Sequence, residues 1–352
     1  MTGASDADPS AIVTCTQVGA STGYGLLWLF PFTTAGLICL ESLAARIGIR
    51  RGRGIATLLS ERFGAPAAWA ICSVFIGVNV VTLAADVAGA ASILNELTGL
   101  PQPLAVIMAA GVPAAVVSFG TFSQVRRVLL FLTPLYLLYA LAAVAAHPAG
   151  LLQPSAFVPR GNIRDLLFAG VGLAGAILTP YVFFWQVEDT AQRERRYGEA
   201  ETEGGSGGMI FANLVLLFVV LMAAATLHST TGSGLQLATL RQASDALRPL
   251  LGRGAFFSFS AAILASELIA APVIAAVCGY VVANLTQRRA GLSWSPQLAK
   301  TFYLATFVAL LLAACFALLN VNPVGPLFWA QVANGCLLPL LIVFLVIEAR
   351  GT

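Results

Sequence analysis

Ten stretches of this chain are too long and too apolar to be buried by the remainder, and that constrains its fold more than any motif. Crossing a bilayer's hydrocarbon takes about 20 helical residues. Apolar runs bounded by Arg, Pro, Gly and polar clusters lie near residues 9–22, 24–45, 67–94, 103–119, 128–146, 164–186, 209–227, 255–283, 301–319 and 326–347. Only 10% of the 352 residues are charged, against about 25% in an ordinary soluble domain, too few to cover a water-facing surface. Mean hydropathy is +0.86. Period-2 alternation is absent, which argues against a β-barrel. The chain therefore reads as an all-α polytopic membrane protein.

Charge placement gives an orientation. With ten spans, 14 of the 19 basic residues fall on one side, among them Arg46, Arg50, Arg51, Arg53, Arg126, Arg127 and Arg288. The positive-inside rule makes that side, and with it both termini, cytoplasmic, in an integral protein of the plasma (inner) membrane. A net charge of +3, with its basic residues dispersed, makes no nucleic-acid surface. Residues 1–8 are polar and acidic, without the basic and apolar regions of a cleavable signal. Six cysteines stand singly in apolar runs and read as small core residues. No Ser, His and Asp set or cofactor fingerprint is present, so the expected partners are lipid and a transported solute, with no enzymatic role.

Two spans carry a proline beside polar residues: Asp8-Pro9-Ser10-Ala11 in the first and Thr179-Pro180-Tyr181 in the sixth. They lie five spans apart, an odd number, so two five-span halves run oppositely through the bilayer. Matching breaks in the lead helix of each half are the signature of an inverted-repeat transporter. A proline kink alone is the plainer reading of either break taken singly. The pair together, with an aspartate at one, favours a site, because broken backbone is tolerated in lipid only where it lines a cavity or binds an ion.

These elements resemble the Nramp family of divalent-metal transporters, and within it the Nramp-related magnesium-transporter-like branch. Asp8-Pro9-Ser10-Ala11, Gln17-Val18-Gly19-Ala20 and Gly23-Tyr24-Gly25-Leu26-Leu27-Trp28 are similar to the family's D-P-G-N, Q-A-G-A and G-Y-x-L-L-W. Leu43-Ala44-Ala45-Arg46-Ile47-Gly48 resembles S-A-R-L-G, Gly175-Ala176-Ile177-Leu178-Thr179-Pro180-Tyr181 stands at A-x-x-M-P-H, and Ala330-Gln331-Val332 at S-Q-V. The resemblance implies a LeuT-like five-plus-five fold in one transporter domain over 1–352, with repeats 1–150 and 151–352. It implies Asp8 as the anionic metal ligand, a carbonyl ligand at Ala176, and Gln331 closing on the ion. Ala11 stands in place of the family's asparagine and Thr179 in place of its methionine. Losing a soft thioether and gaining a hydroxyl suits a hard ion, so the expected substrate is Mg2+ and/or Mn2+. The metal is cargo, and neither a cofactor nor an obligate protein partner is implied. The family's span-six histidines fall on Tyr181 and Gln186, and a carboxylate of its third span falls on Gly89. Asp86 remains, so proton coupling is expected to be weak or absent. Asp86 reads equally as a proton carrier or as a hydrogen-bond partner of a neighbouring helix.

Other ionisable groups read more plainly. Glu267 lies mid-span and must be protonated, paired or wet. It joins Asp86 and Tyr181 as a proton or gating candidate, although the resemblance gives it no role. Asp8 reads as the only acid close to either break on the membrane side. Glu188 and Asp189 read as a solvated helix end, and His147 and His228 as interfacial. Seven residues precede Asp8, fewer than the roughly ten that reach the midplane at 1.5 Å each, so the first half-helix reads as truncated. Two rival functions stay open: a same-fold transporter of an organic substrate such as an amino acid, and a gateless, non-transporting remnant.

Overall fold

A computed structural model describes residues 7–119, 136–148, 153–197, 206–228, 236–292, 294–319 and 321–350. The segment before Ala7, on which the expected truncation rests, and the first part of span five lie outside the described residues. The long helices are α1 (Pro9–Thr22), α2 (Leu29–Arg51), α3 (Ile55–Phe63), α4 (Ala65–Thr98), α5 (Gln102–Phe119) and α6 (Tyr136–Ala145). They continue with α7 (Ile163–Ile177), α8 (Pro180–Tyr197), α9 (Ser206–Ala223), α10 (Ala255–Leu285), α11 (Lys300–Ala317) and α12 (Val324–Arg350). Seven helical stretches among the described residues are long and apolar enough to cross a bilayer. The α5 and α6 stretches are shorter apolar helices, and α1 has 14 residues.

Helix ends follow local chemistry. The second span begins at Leu29 rather than near residue 24, because Gly23 turns the chain with φ 59° and backbone bonds such as Leu27 N–H to the Tyr24 carbonyl make turns through 28. It then runs on to Arg51, where basic side chains suit a helix C-terminus, and Gly52 stops it in the left-handed conformation. The loop expected after it contains α3, which buries Ile55, Ala56, Leu58 and Leu59.

Apolar side chains face outward as well as inward. Val144, Leu304, Leu311 and Leu340 are exposed, as lipid contact requires. Of the cysteines, Cys15, Cys72 and Cys278 are buried but Cys39, Cys315 and Cys336 are exposed, which corrects their reading as core residues. A thiol tolerates a lipid-facing position as readily as an internal one.

Three contacts position the site. α7 packs along α12, α2 along α8, and α1 against α9. In the first of these the backbones approach so closely that a Cβ on Gly175 would collide with the Gln331 carbonyl, and one on Gly335 with the Val171 carbonyl. Small residues at membrane crossings serve this close approach. At the end of α12, buried Glu348 accepts from Arg51 at 2.6 Å and from Arg62 at 3.2 Å, tying that end to α2 and α3.

Candidate metal site at the two helix breaks

The first break forms at Asp8. Its backbone is extended (φ −71°, ψ 166°), and Pro9 opens α1 with a ring that fixes the first helical φ. Asp8 Oδ1 accepts from the Ala11 N–H at 2.6 Å, a side-chain cap for a donor that no preceding turn can satisfy. Its carboxylate is fully buried. Two side chains from distant elements complete its surroundings. Gln331 Nε2 on α12 donates to Oδ1 at 3.0 Å, and the Tyr181 hydroxyl on α8 makes a long contact to Oδ2 at 3.4 Å.

The second break separates α7 from α8 at Leu178 and Thr179, with Leu178 leaving helical geometry at ψ 53°. Pro180 opens α8 and has no N–H, so the Ala176 carbonyl four residues earlier loses its usual helical donor. Ala176 and Thr179 are both fully buried. Tyr181 thus joins Asp8 to α8, and Gln331 joins it to α12, whose backbone meets α7 where the Gln331 carbonyl lies against Gly175.

Asp86 has a partner on a neighbouring helix. From α4 it reaches the start of α1, where Oδ1 accepts from the Ser10 N–H at 2.9 Å and from the Ser10 hydroxyl. Two carboxylates therefore cap one helix N-terminus, whose partial positive charge favours both. Oδ2 of Asp86 is buried and has no hydrogen-bond partner.

Glu267 on α10 is 3% exposed and lies within electrostatic reach of Asp8 and Asp86. Asp8 is therefore not the only acid at the first break, contrary to the sequence reading, because α4 and α10 fold two others onto it. Glu188 departs from expectation too. It is 3% exposed and accepts from Asn284 Nδ2 at 2.7 Å and Gln192 Nε2 at 2.9 Å, so it is a buried, hydrogen-bonded group and not a solvated helix end. Asp189 pairs with Arg193 at 2.7 Å, as a helix surface allows. His228 is half-buried, with Nδ1 3.1 Å from the Ala20 carbonyl.

Sequence reasoning missed three polar residues of this region. Ser10 holds Asp86, Ser266 donates to the Ala7 carbonyl at 2.7 Å, and Asn334 bridges Gln331 Oε1 at 3.2 Å and Thr82 Oγ1 at 3.3 Å. Asn334 had a legible signal, since it lies one turn after Gln331 inside an apolar span. Ser10 stood within the break motif without a role of its own, and Ser266, a small residue of a type common in such helices, carried none. A cavity of ≈ 190 Å³ between α4, the end of α11 and the start of α12 lies elsewhere, and its lining side chains are all apolar. Among the described residues no three His, Cys, Asp or Glu side chains gather in a metal-holding group. Any ion at the breaks must therefore draw on backbone and neutral oxygen as well as carboxylate.

Membrane-crossing helices with broken first and sixth spans, and an acid at one break, define the LeuT-like inverted-repeat class. Solved structures place the chain in that fold. A manganese transporter from Eremococcus coleocola, in complex with an aromatic bis-isothiourea substituted compound, superposes with a TM-score of 0.69 at 16% identity, covering 99% of this chain and 76% of that one. MhsT in complex with L-phenylalanine gives 0.63 at 16% identity, covering 98% and 86%. The Nramp family model, described as Natural resistance-associated macrophage protein-like, matches residues 1–350, and the chain belongs to the Nramp family. A divalent metal cation transporter MntH from Deinococcus radiodurans is 29% identical over 286 residues, 76% of this chain. The match spans 63% of that relative, less than two thirds of its length. The MntH of Aeromonas hydrophila subsp. hydrophila is 28% identical over 294 residues, covering 78% and 69%.

Proposed function

We propose that this chain is a transporter of divalent metal cations, Mn2+ and/or Mg2+, acting by alternating access with weak or no proton coupling. The observation that carries the reading is the meeting of the buried Asp8 carboxylate, at the start of α1, with Gln331 of α12 and Tyr181, the residue after Pro180 at the second break. Relatives named as divalent metal cation transporters support the substrate class, and the oxygen-only ligands narrow it to hard ions.

The site's residues divide the work. Asp8 supplies the charge that draws the ion, and Ala176 and Thr179 supply neutral oxygens. Asp8 Oδ1 accepts from the Ala11 N–H and from Gln331 Nε2, and Oδ2 faces the Tyr181 hydroxyl. An arriving cation replaces them, and Gln331 turns its amide so that Oε1 faces the metal while Nε2 leaves Asp8. Because α12 carries Gln331 and α7 carries Ala176, closing on the ion couples its binding to the packing of those helices. Ala11 offers no side-chain ligand, which leaves the ion a water, as Mg2+ prefers.

Weak coupling rests on what replaces the family's titratable groups. Tyr181 and Gln186 are neutral and buried, and a Cβ on Gly89 would lie 3.3 Å from a Leu327 methyl, an apolar neighbour for the position where a second acid is lost. The preponderance of basic residues on one side supports cytoplasmic termini in an inner membrane, and one domain of two five-span halves. An organic substrate is disfavoured, since a substrate carboxylate would meet Asp8. Calorimetry with Mn2+ on the purified protein tests the reading: binding by the wild type and none by Asp8→Ala is expected. Equal binding by the two overturns the site.

A further inference from the structure

We propose that Asn334 is a positioning residue whose side-chain amide sets which end of the Gln331 amide faces Asp8, and that the two amides turn together when a cation arrives, a role that rests on the divalent-cation reading above. Thr82 of α4 is the residue that biases this pair of amides.

A directed chain of hydrogen bonds runs from α4 to Asp8. The Thr82 hydroxyl donates its one hydrogen to the Val78 carbonyl at 3.0 Å, one turn back along α4. Its oxygen can then only accept, and it does so from Asn334 Nδ2 at 3.3 Å. The same NH2 group donates to Gln331 Oε1 at 3.2 Å. With Oε1 engaged there, Gln331 presents Nε2 to Asp8 and donates to Oδ1 at 3.0 Å. Each bond fixes the polarity of the next, so a main-chain carbonyl of α4 decides which Gln331 atom meets the carboxylate. Thr82, Gln331 and Asn334 are all buried, and their polar atoms depend on partners within the protein.

This polarity is the wrong one for a cation. A metal beside Asp8 repels the Nε2 hydrogens and needs Oε1. Turning Gln331 alone would set its NH2 group against that of Asn334, donor facing donor. Asn334 has the means to relieve this, because its Oδ1 is buried and has no hydrogen-bond partner. When Asn334 turns as well, Oδ1 accepts from Gln331 Nε2 and a costly unsatisfied acceptor is satisfied. The bond given up is the one to Thr82. Thr82 therefore stabilises only the arrangement with Nε2 on Asp8, and the worth of its bond is subtracted from the affinity for the ion. Asp86, one turn after Thr82, holds Ser10 at the start of α1, so the helix that anchors the chain also holds the first break in place.

The decisive variant is Thr82→Val, which keeps the side chain's shape and removes the hydroxyl. Calorimetry on the purified full chain should show Mn2+ bound about fivefold more tightly, the equilibrium equivalent of one net hydrogen bond. Thr82→Ala should shift affinity in the same direction, and decides by the same criterion where thermal unfolding shows Thr82→Val to be unfolded. Thr82→Ser restores the hydroxyl and should return wild-type affinity. In an Asn334→Leu background Thr82→Val should change nothing, since its influence runs through Asn334. Loosened packing alone predicts weaker binding, in that background too. Unchanged or weaker Mn2+ binding by a folded Thr82→Val overturns the proposal and leaves the Asp8 site standing, as does tighter binding that persists with Asn334→Leu. Absence of Mn2+ binding by the wild type overturns the divalent reading and this proposal with it.

Discussion

At position 8 a single carboxylate caps α1 and, on the function proposed above, also supplies the charge that draws the ion. Replacing it by alanine should abolish Mn2+ binding. The loss of a cap would by itself cost about 1 kcal/mol, offset by removal of a buried charge, so the fold should persist. A titration calorimeter reads the first effect and thermal unfolding in detergent the second. Selectivity lies at two further residues. With Thr179 and Ala11 the site offers only oxygen and water, so Mg2+ should compete well. The double variant Ala11→Asn, Thr179→Met adds an amide and a thioether, which favours softer, more readily dehydrated ions. The Cd2+ to Mg2+ preference should rise about tenfold, equivalent to about 1.4 kcal/mol, in competition against Mn2+. An unchanged preference in a folded, Mn2+-binding double variant would mean that Thr179 does not face the ion.

Helices place those residues through their ends and crossings. Pro180 keeps α7 and α8 apart by withholding the N–H that would close on the Ala176 carbonyl. Pro180→Ala should let the helix continue, engage that carbonyl and weaken Mn2+ binding at least tenfold, with thermal stability equal to or above wild type. Wild-type affinity in that variant would remove Ala176 from the ligand set. At the other end of α12, Glu348 holds Arg51 and Arg62. Breaking a fully buried ion pair costs about 3–5 kcal/mol. Here the arginine side chains are 35% and 42% exposed, and solvent screening reduces the effect. Glu348→Gln should destabilise the protein by about 1–2 kcal/mol, seen as a lower unfolding midpoint, with Mn2+ affinity unchanged because the clamp lies far along α12 from Gln331.

For the molecule as a whole, transport requires that burial of charge be managed as the helices rearrange. Asp8 and Asp86 both cap the start of α1, and Glu267 of α10 lies within electrostatic reach of them. Neutral Tyr181 and Gln186 stand in the sixth span, and Gly89 in the third. Mn2+ uptake into proteoliposomes should accordingly move few or no protons, as reported by an internal pH dye. Acidification that tracks Mn2+ uptake and disappears in Asp86→Asn would show instead that the remaining aspartate suffices as a carrier.

The sequence alone determined the solvent and the scaffold. Apolar runs of about 20 residues leave a chain no choice but helices in lipid, and prolines at residues 9 and 180 placed both breaks, because a missing N–H is a local fact. Asp8, Ala176 and Gln331 were named from the family resemblance, and the contact of Gln331 with Asp8 required α12 to be placed along α7, against which it packs through Gly175 and Gly335. Tertiary structure alone decided which acids share a space. Asp86, Glu188 and Glu267 each stand singly in the sequence, where a buried acid and a wet one look alike. Helix packing brought Asp86 onto Ser10, drew Glu267 towards Asp8, and buried Glu188 against Asn284. A side chain's partner across a helix crossing depends on crossing angle and rotation about the axis, and neither is encoded in the spacing of residues along one helix.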